Sequence, residues 1–238
     1  MTQAANRAIS REMFIWQEAF IVIWCHAVKG CRPSNRPDDG ILSTMSGVLS
    51  YRAFVMAMEQ VERRLRKVTA ALDAAGIRYA VIGGNAVALW VAKADPAATR
   101  TTKDVDLLVE REDLDRISEV MRGLGFSIRD LRPLVLFVDP QEPSRRSGGH
   151  LVWAGQKVRP SYAHPAPSLS DAVRDAEGFW VLNLPALLRM KLTSMRDVDK
   201  VHVADLLRVG MVDQGARDAL PADLREQLEK IERTVEDE

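Results

Sequence analysis

The most constraining stretch of the chain is a change of hydrophobic period across residues 78–92. Arg78-Tyr-Ala-Val-Ile82 is a short apolar run of strand type, Gly83-Gly84 breaks it, and Asn85-Ala-Val-Ala-Leu-Trp-Val-Ala92 continues as a helix. A strand that runs through two glycines into a helix is an α/β junction. Without Cβ atoms the backbone there can turn tightly and admit another group at close range. The following apolar segment, Asp104-Val-Asp-Leu-Leu-Val109, reads as a second strand. Residues i and i+2 of a strand project to one side, so Asp104 and Asp106 are expected together, with Val105 and Leu107 facing the other way.

Other elements fall around this junction. Phe54, Met58, Val61, Leu65, Val68 and Leu72 are spaced 4, 3, 4, 3 and 4, one face of an amphipathic helix that Gly76 would end. A loop spans 93–103, and a helix from Asp113 to Leu124 ends at Gly125. Strands are expected at 134–138 and 150–154, then helices over 184–192, 198–209 and 222–235. The fold class is α/β, with a small mixed sheet packed by helices and a helical C-terminal part. It occupies residues 50–238.

Residues 1–49 are expected to be an N-terminal extension and linker, poorly ordered. The apolar run Ala19 to Cys25 is seven residues long, well short of the roughly 20 that a membrane span needs. Arg7 and Arg11 precede it in the manner of a signal peptide, but no clean small-residue cleavage pattern follows. Gly30, Pro33, Pro37, Gly40 and Gly47 give the next stretch the composition of a linker. Thirty-three basic and thirty-three acidic residues cancel, which argues against binding nucleic acid or lipid by bulk charge. Cys25 and Cys31, the only two cysteines, cannot build a disulfide framework. A cytoplasmic chain with no membrane partner is expected.

Two adjacent carboxylates repel, and each raises the other's pKa unless a cation lies between them. Oxygen-only donors of this kind suit Mg²⁺, with water and substrate phosphates completing its shell. A glycine pair before a helix suits phosphate, because the first helical amides point outward. Taken singly, each half has a plainer explanation: an acidic strand end, and a tight turn. The glycine spacing matches neither a Walker loop nor a dinucleotide fingerprint.

Together, Gly83-Gly84 at the strand–helix junction and Arg100-Thr-Thr-Lys-Asp-Val-Asp-Leu-Leu-Val109 resemble the nucleotidyltransferase superfamily of the polymerase-beta type. Within it the chain looks most like the bacterial AbiEii-type toxins and minimal nucleotidyltransferases. The resemblance spans roughly residues 52–210. It implies an NTP substrate held by Gly83, Gly84, Asn85, Arg100 and Thr102, and Mg²⁺ (or Mn²⁺) held by Asp104 and Asp106. Lys191, in Leu187-Leu-Arg-Met-Lys-Leu192, is implied to reach the triphosphate. Read locally it is a solvated helix residue.

The implied reaction carries a nucleoside monophosphate to a hydroxyl on RNA, protein or a small molecule, with catalysis by Asp104, Asp106 and a third acid on a later strand. Asp139 is the candidate for that acid, and Asp139-Pro140 also reads as a turn. The strand His150-Leu-Val-Trp-Ala-Gly has no acid. This gap makes a weakened, nucleotide-binding relative the alternative, alongside a toxin–antitoxin component with an antitoxin or other partner protein. Residues 140–165 carry Arg145, Arg146, Lys157 and Arg159 against Glu142, a basic surplus suited to an acidic acceptor or to a solvated loop. His150 and His202 read as ordinary structural or surface histidines.

Overall fold

The structure, a computed structural model, describes residues 39–131, 134–139 and 148–237. Most of the expected N-terminal extension, residues 1–38, and residues 140–147 of the basic stretch lie outside the described residues. Contacts set Arg52–Glu238 apart as one compact unit, and it carries the site.

Helix α1 (Asp39–Ala74) opens the described chain. It begins inside the stretch whose glycines suggested a linker. A glycine costs a helix interior only about 1 kcal/mol relative to alanine, and propagation along a long helix absorbs that cost. Its Leu65, Val68 and Leu72 are buried, as the apolar stripe predicts, and Gly76 follows at φ +63°.

β1 (Tyr79–Val81) leads through Gly83 into α2 (Gly83–Ala94). A 3-10 turn at Pro96–Ala98 precedes β2 (Val105–Val109), and α3 (Leu114–Gly123) follows. The hairpin β3 (Ser127–Leu131) and β4 (Leu134–Val138) leads on to β5 (Gly148–Trp153). Two short strands, β6 (Ala172–Arg174) and β7 (Trp180–Leu182), come before the helices. These are α4 (Leu184–Ser194), α5 (Asp197–Arg208), α6 (Gln214–Asp218) and α7 (Ala222–Glu236).

The strands form one seven-stranded sheet in the order β3-β4-β5-β2-β1-β7-β6. β1 pairs antiparallel with β2 and parallel with β7, while β2 pairs parallel with β5. The architecture is α/β with a mixed sheet, as expected. The sheet is larger than the sequence suggests, because β3, β6, β7 and the short helix α6 have no periodic signature of their own.

β2 lies at the middle of the sheet. Val105, Leu107, Leu108 and Val109 are fully buried, so hydrophobic burial anchors both faces of the strand that bears Asp106. The partial exposure of Asp106 is the exception in that strand. α2 packs on β2 and on α5, and α4, α5 and α7 pack on one another. α2 also contacts α4 directly.

Candidate functional site

The Gly83-Gly84 junction is built around close contacts that no other residue allows. Gly83 has φ +68°, and a Cβ on it would lie 2.2 Å from Asp106 Oδ2 and 2.9 Å from its Cγ. A Cβ on Gly84 would lie 2.8 Å from Thr102 Oγ1, with His202 Cε1 at 3.6 Å. The glycine pair therefore separates two groups of side chains, Asp106 on one side and Thr102 with His202 on the other. Among the described residues no side chain caps the N-terminus of α2. Its leading amides and the positive end of its dipole favour a negative charge such as the nearby Asp106 carboxylate or a phosphate.

Asp106 is fixed from three directions. Its carbonyl accepts from Ile82 N at 3.0 Å. Its Oδ2 lies against Gly83. Its Oδ1 accepts from His150 Nδ1 at 2.7 Å, and His150 is directly opposite it in the parallel β2–β5 register. That hydrogen bond to Asp106 raises the pKa of His150, with burial opposing it.

Asp104 lies one residue before β2. Its backbone carbonyl accepts from Asn85 Nδ2 at 2.7 Å, which ties the start of α2 to the bend before the strand. Burial, and then the charge of Asp106, push the Asp104 carboxyl above its ordinary pKa. The charges of His150, Arg64 and Lys103 oppose that rise.

The third group is the junction of α4 and α5. Lys191 is 4% exposed and Asp199 not exposed at all. Lys191 Nζ donates to Asp199 Oδ1 at 2.9 Å and to His202 Nδ1 at 3.0 Å. Asp199 also accepts from Arg196 Nε at 2.6 Å and from Ser194 Oγ at 2.5 Å. Burial alone would raise Asp199, but Arg196, Lys191 and Ser194 hold it at about 2. Burial and then the Lys191 charge lower His202 to about 4, so it is a neutral acceptor near pH 7. Burial pulls the Lys191 pKa down against the opposing pull of Asp199.

These groups meet at a cavity of about 510 Å³. Gly83, Asp106, His150, Lys191 and Arg196 line its polar end, and Val158, Tyr162, Pro165, Leu187 and Met190 are among its other walls. The loop between β5 and β6 supplies one side, anchored by His164 Nε2 to Asp223 Oδ2 of α7 at 2.7 Å. The volume falls in the range of small-molecule sites.

Of the residues singled out from sequence, the structure brings Gly83, Asp106 and Lys191 to one cavity. Gly84, Asn85, Thr102 and Asp104 lie beside it. Arg100 is outside its walls, with Nε donating to Asp205 Oδ2 at 2.6 Å. Asp139 follows β4, which is separated from β2 by β5, and it does not line the cavity. The two histidines read as ordinary are instead partners of the central groups, His150 on Asp106 and His202 on Lys191. Arg196 also lines the cavity. Only strand register could have pointed to His150, because nothing in its neighbouring sequence marks it.

Among the described residues no three His, Cys, Asp or Glu side chains form a ready-made metal cluster. Paired carboxylates whose remaining partners are phosphates and water nevertheless suit Mg²⁺; Asp106 lines the cavity and Asp104 lies one residue before β2. Among the described residues no helix is long and apolar enough to cross a membrane.

A family model described as "Uncharacterised nucleotidyltransferase" matches residues 23–159. No curated protein matches the chain. Solved structures with a similar arrangement include ANT(2'')-Ia in complex with adenylyl-2''-tobramycin, at 18% identity and a TM-score of 0.44, over 74% of this chain and 96% of that one. The Megavirus polyadenylate synthase is similar at 11% identity and a TM-score of 0.45, over 78% of this chain and 41% of that one.

Proposed function

Since the chain belongs to the family of uncharacterised nucleotidyltransferases, we propose that it moves a nucleoside monophosphate from an NTP to a hydroxyl acceptor. The observation that carries this reading is Asp106, lodged against the Gly83 backbone at the uncapped start of α2 and sharing a cavity with Lys191. In the reaction the acceptor oxygen bonds to the α-phosphorus, the bond to the β-phosphate oxygen breaks, and pyrophosphate leaves. A divalent ion at Asp104 and Asp106 would supply charge neutralisation of the phosphates.

The residues of this chain provide the rest. The amides of Gly83 and Gly84 face the triphosphate, and Lys191 and Arg196 offset its charge. Asn85 keeps the bend that carries Asp104, and the loop wall around Tyr162 holds reactants out of bulk water. Positioning of this kind supplies a large part of the barrier lowering in group transfer.

The test is incubation with each α-labelled NTP, Mg²⁺ and total cellular RNA and protein. Label passes to an acceptor with the wild type and not with Asp106→Asn, and Mg²⁺ with the preferred NTP raises the melting temperature only of the wild type. No thermal shift with any NTP would overturn the proposal. A second reading, a relative that binds nucleotide with little turnover, is supported by a histidine rather than an acid opposite Asp106. A thermal shift without transfer of label would favour it. Kinship with AbiEii-type toxins, and with it an antitoxin partner, rests on the sequence resemblance alone.

A further inference from the structure

We infer that His202 is a positioning residue on the phosphate side of the site: it aims one N–H of Lys191 into the cavity and supports the Gly84 turn beside it. The inference rests on the nucleotidyltransferase reading and adds to it a residue from outside the cavity walls. His202 stands half-buried on α5, which packs on both α2 and α4. On one side its Cε1 lies 3.6 Å from the point that a Cβ on Gly84 would occupy, so the ring stands close behind the first turn of α2. On the other side its Nδ1 lies 3.0 Å from Lys191 Nζ. One ring thus touches both elements that the reading sets against the triphosphate.

An ammonium has three N–H bonds and no lone pair, so His202 accepts here, as the tautomer protonated on Nε2. Lys191 gives one N–H to Asp199 Oδ1 at 2.9 Å and a second to His202. The tetrahedral nitrogen then fixes the direction of the third, and Lys191 lines the cavity. With a single anchor the flexible four-carbon stem could swing Nζ aside. Two anchors, both on α5, hold it. Imidazole suits this task better than another acid would. Asp199 is already a carboxylate at this point, shared with Arg196, and a second carboxylate would offset the ammonium charge. A neutral ring accepts the proton and leaves the charge for an anionic ligand. Burial, and then the charges of Lys191 and Arg196, keep the ring neutral at pH 7 against the pull of Asp199 and Asp205.

The test is calorimetric binding of each α,β-methylene nucleoside triphosphate with Mg²⁺ at pH 7.5. H202L removes the acceptor and is expected to weaken the preferred nucleotide about tenfold, the effect of one hydrogen bond to a charged group. H202Q supplies a neutral acceptor and is expected to return affinity to within about threefold of the wild type. A role in folding alone would lower stability and leave the affinity of the folded variants unchanged. If H202L fails to fold, the wild type decides. Its ¹⁵N NMR spectrum should show His202 protonated on Nε2 and bare on Nδ1, and the Lys191 ammonium signal should move when the nucleotide is added. Equal affinity in folded H202L and wild type, no recovery in H202Q, a proton on Nδ1 or a static Lys191 signal would each overturn the inference and leave the nucleotidyltransferase reading standing. No binding of any of the nucleotides by the wild type would overturn that reading, and the inference with it.

Discussion

Gly83 and Asp106 occupy volumes that nearly coincide, so the identity of one dictates the placement of the other. A methyl group at position 83 would meet Asp106 Oδ2 at 2.2 Å, far inside van der Waals contact. It would also put a side chain on a residue at φ +68°, a conformation that costs about 1–2 kcal/mol outside glycine. Gly83→Ala is therefore expected to displace the carboxylate and abolish the thermal shift given by Mg²⁺ with NTP. Gly76 provides the control. It has φ +63°, and a methyl group there would meet nothing within 4 Å, so Gly76→Ala should lose about 1–2 kcal/mol in urea unfolding and keep the nucleotide response. Equal nucleotide responses in the two variants would refute this account of the junction. At this scale Asp106 was legible from strand period 2, whereas Asp104, expected on the same strand, lies one residue before β2. His150 was not legible, since its role depends on which strand lies beside β2. Arg100, implied by resemblance to meet nucleotide, is held by Asp205 across a turn of chain whose path no local pattern specifies.

At the scale of elements, α4 and α5 meet through a buried polar knot whose protonation is linked to stability. His202 has a folded pKa of about 4, below its ordinary value near 6.5. The unfolded chain therefore binds a proton more readily between those values, and stability falls as pH falls from about 6.5 to about 4. With partial exposure allowed for, the loss is on the order of 2 kcal/mol. Asp199 acts in the same direction at lower pH. Its carboxyl, held at about 2, contributes stability that is present above the ordinary carboxylate range and is lost only as pH falls further. Urea unfolding at pH 7.5, 5.5 and 4.5 should show the first decline, and His202→Gln should flatten it. An unchanged slope in that variant would mean another group is responsible. The helices here were legible as segments over 184–192, 198–209 and 222–235, and the structure adds a cap to the first, where the Asn183 side chain accepts from Ala186 N at 2.9 Å. β6 and β7 were not legible, because strands of three residues owe their conformation to pairing rather than to a pattern of their own.

For the whole unit Arg52–Glu238, buried residues from α1, the sheet and the C-terminal helices form one continuous cluster. Leu187 of α4 is fully buried within it. Leu187→Ala is expected to cost about 2–5 kcal/mol. Its unfolding followed by tryptophan fluorescence and by far-ultraviolet circular dichroism should coincide, as a single cooperative transition requires. Separate midpoints would show that α4 and its neighbours melt independently of the sheet.

The placement of β1 between β2 and β7 also orders events on the ribosome. One edge of β1 can zip onto β2 as soon as residue 109 has emerged, but the other stays bare until Val181, its parallel partner, has been made. Trp90, whose indole donates to Leu182 O at 3.0 Å, waits for the same moment. During that interval the nascent chain displays an open, apolar strand margin of the kind that recruits stray β-segments. Slower translation between those two points is therefore expected to lower the yield of native protein.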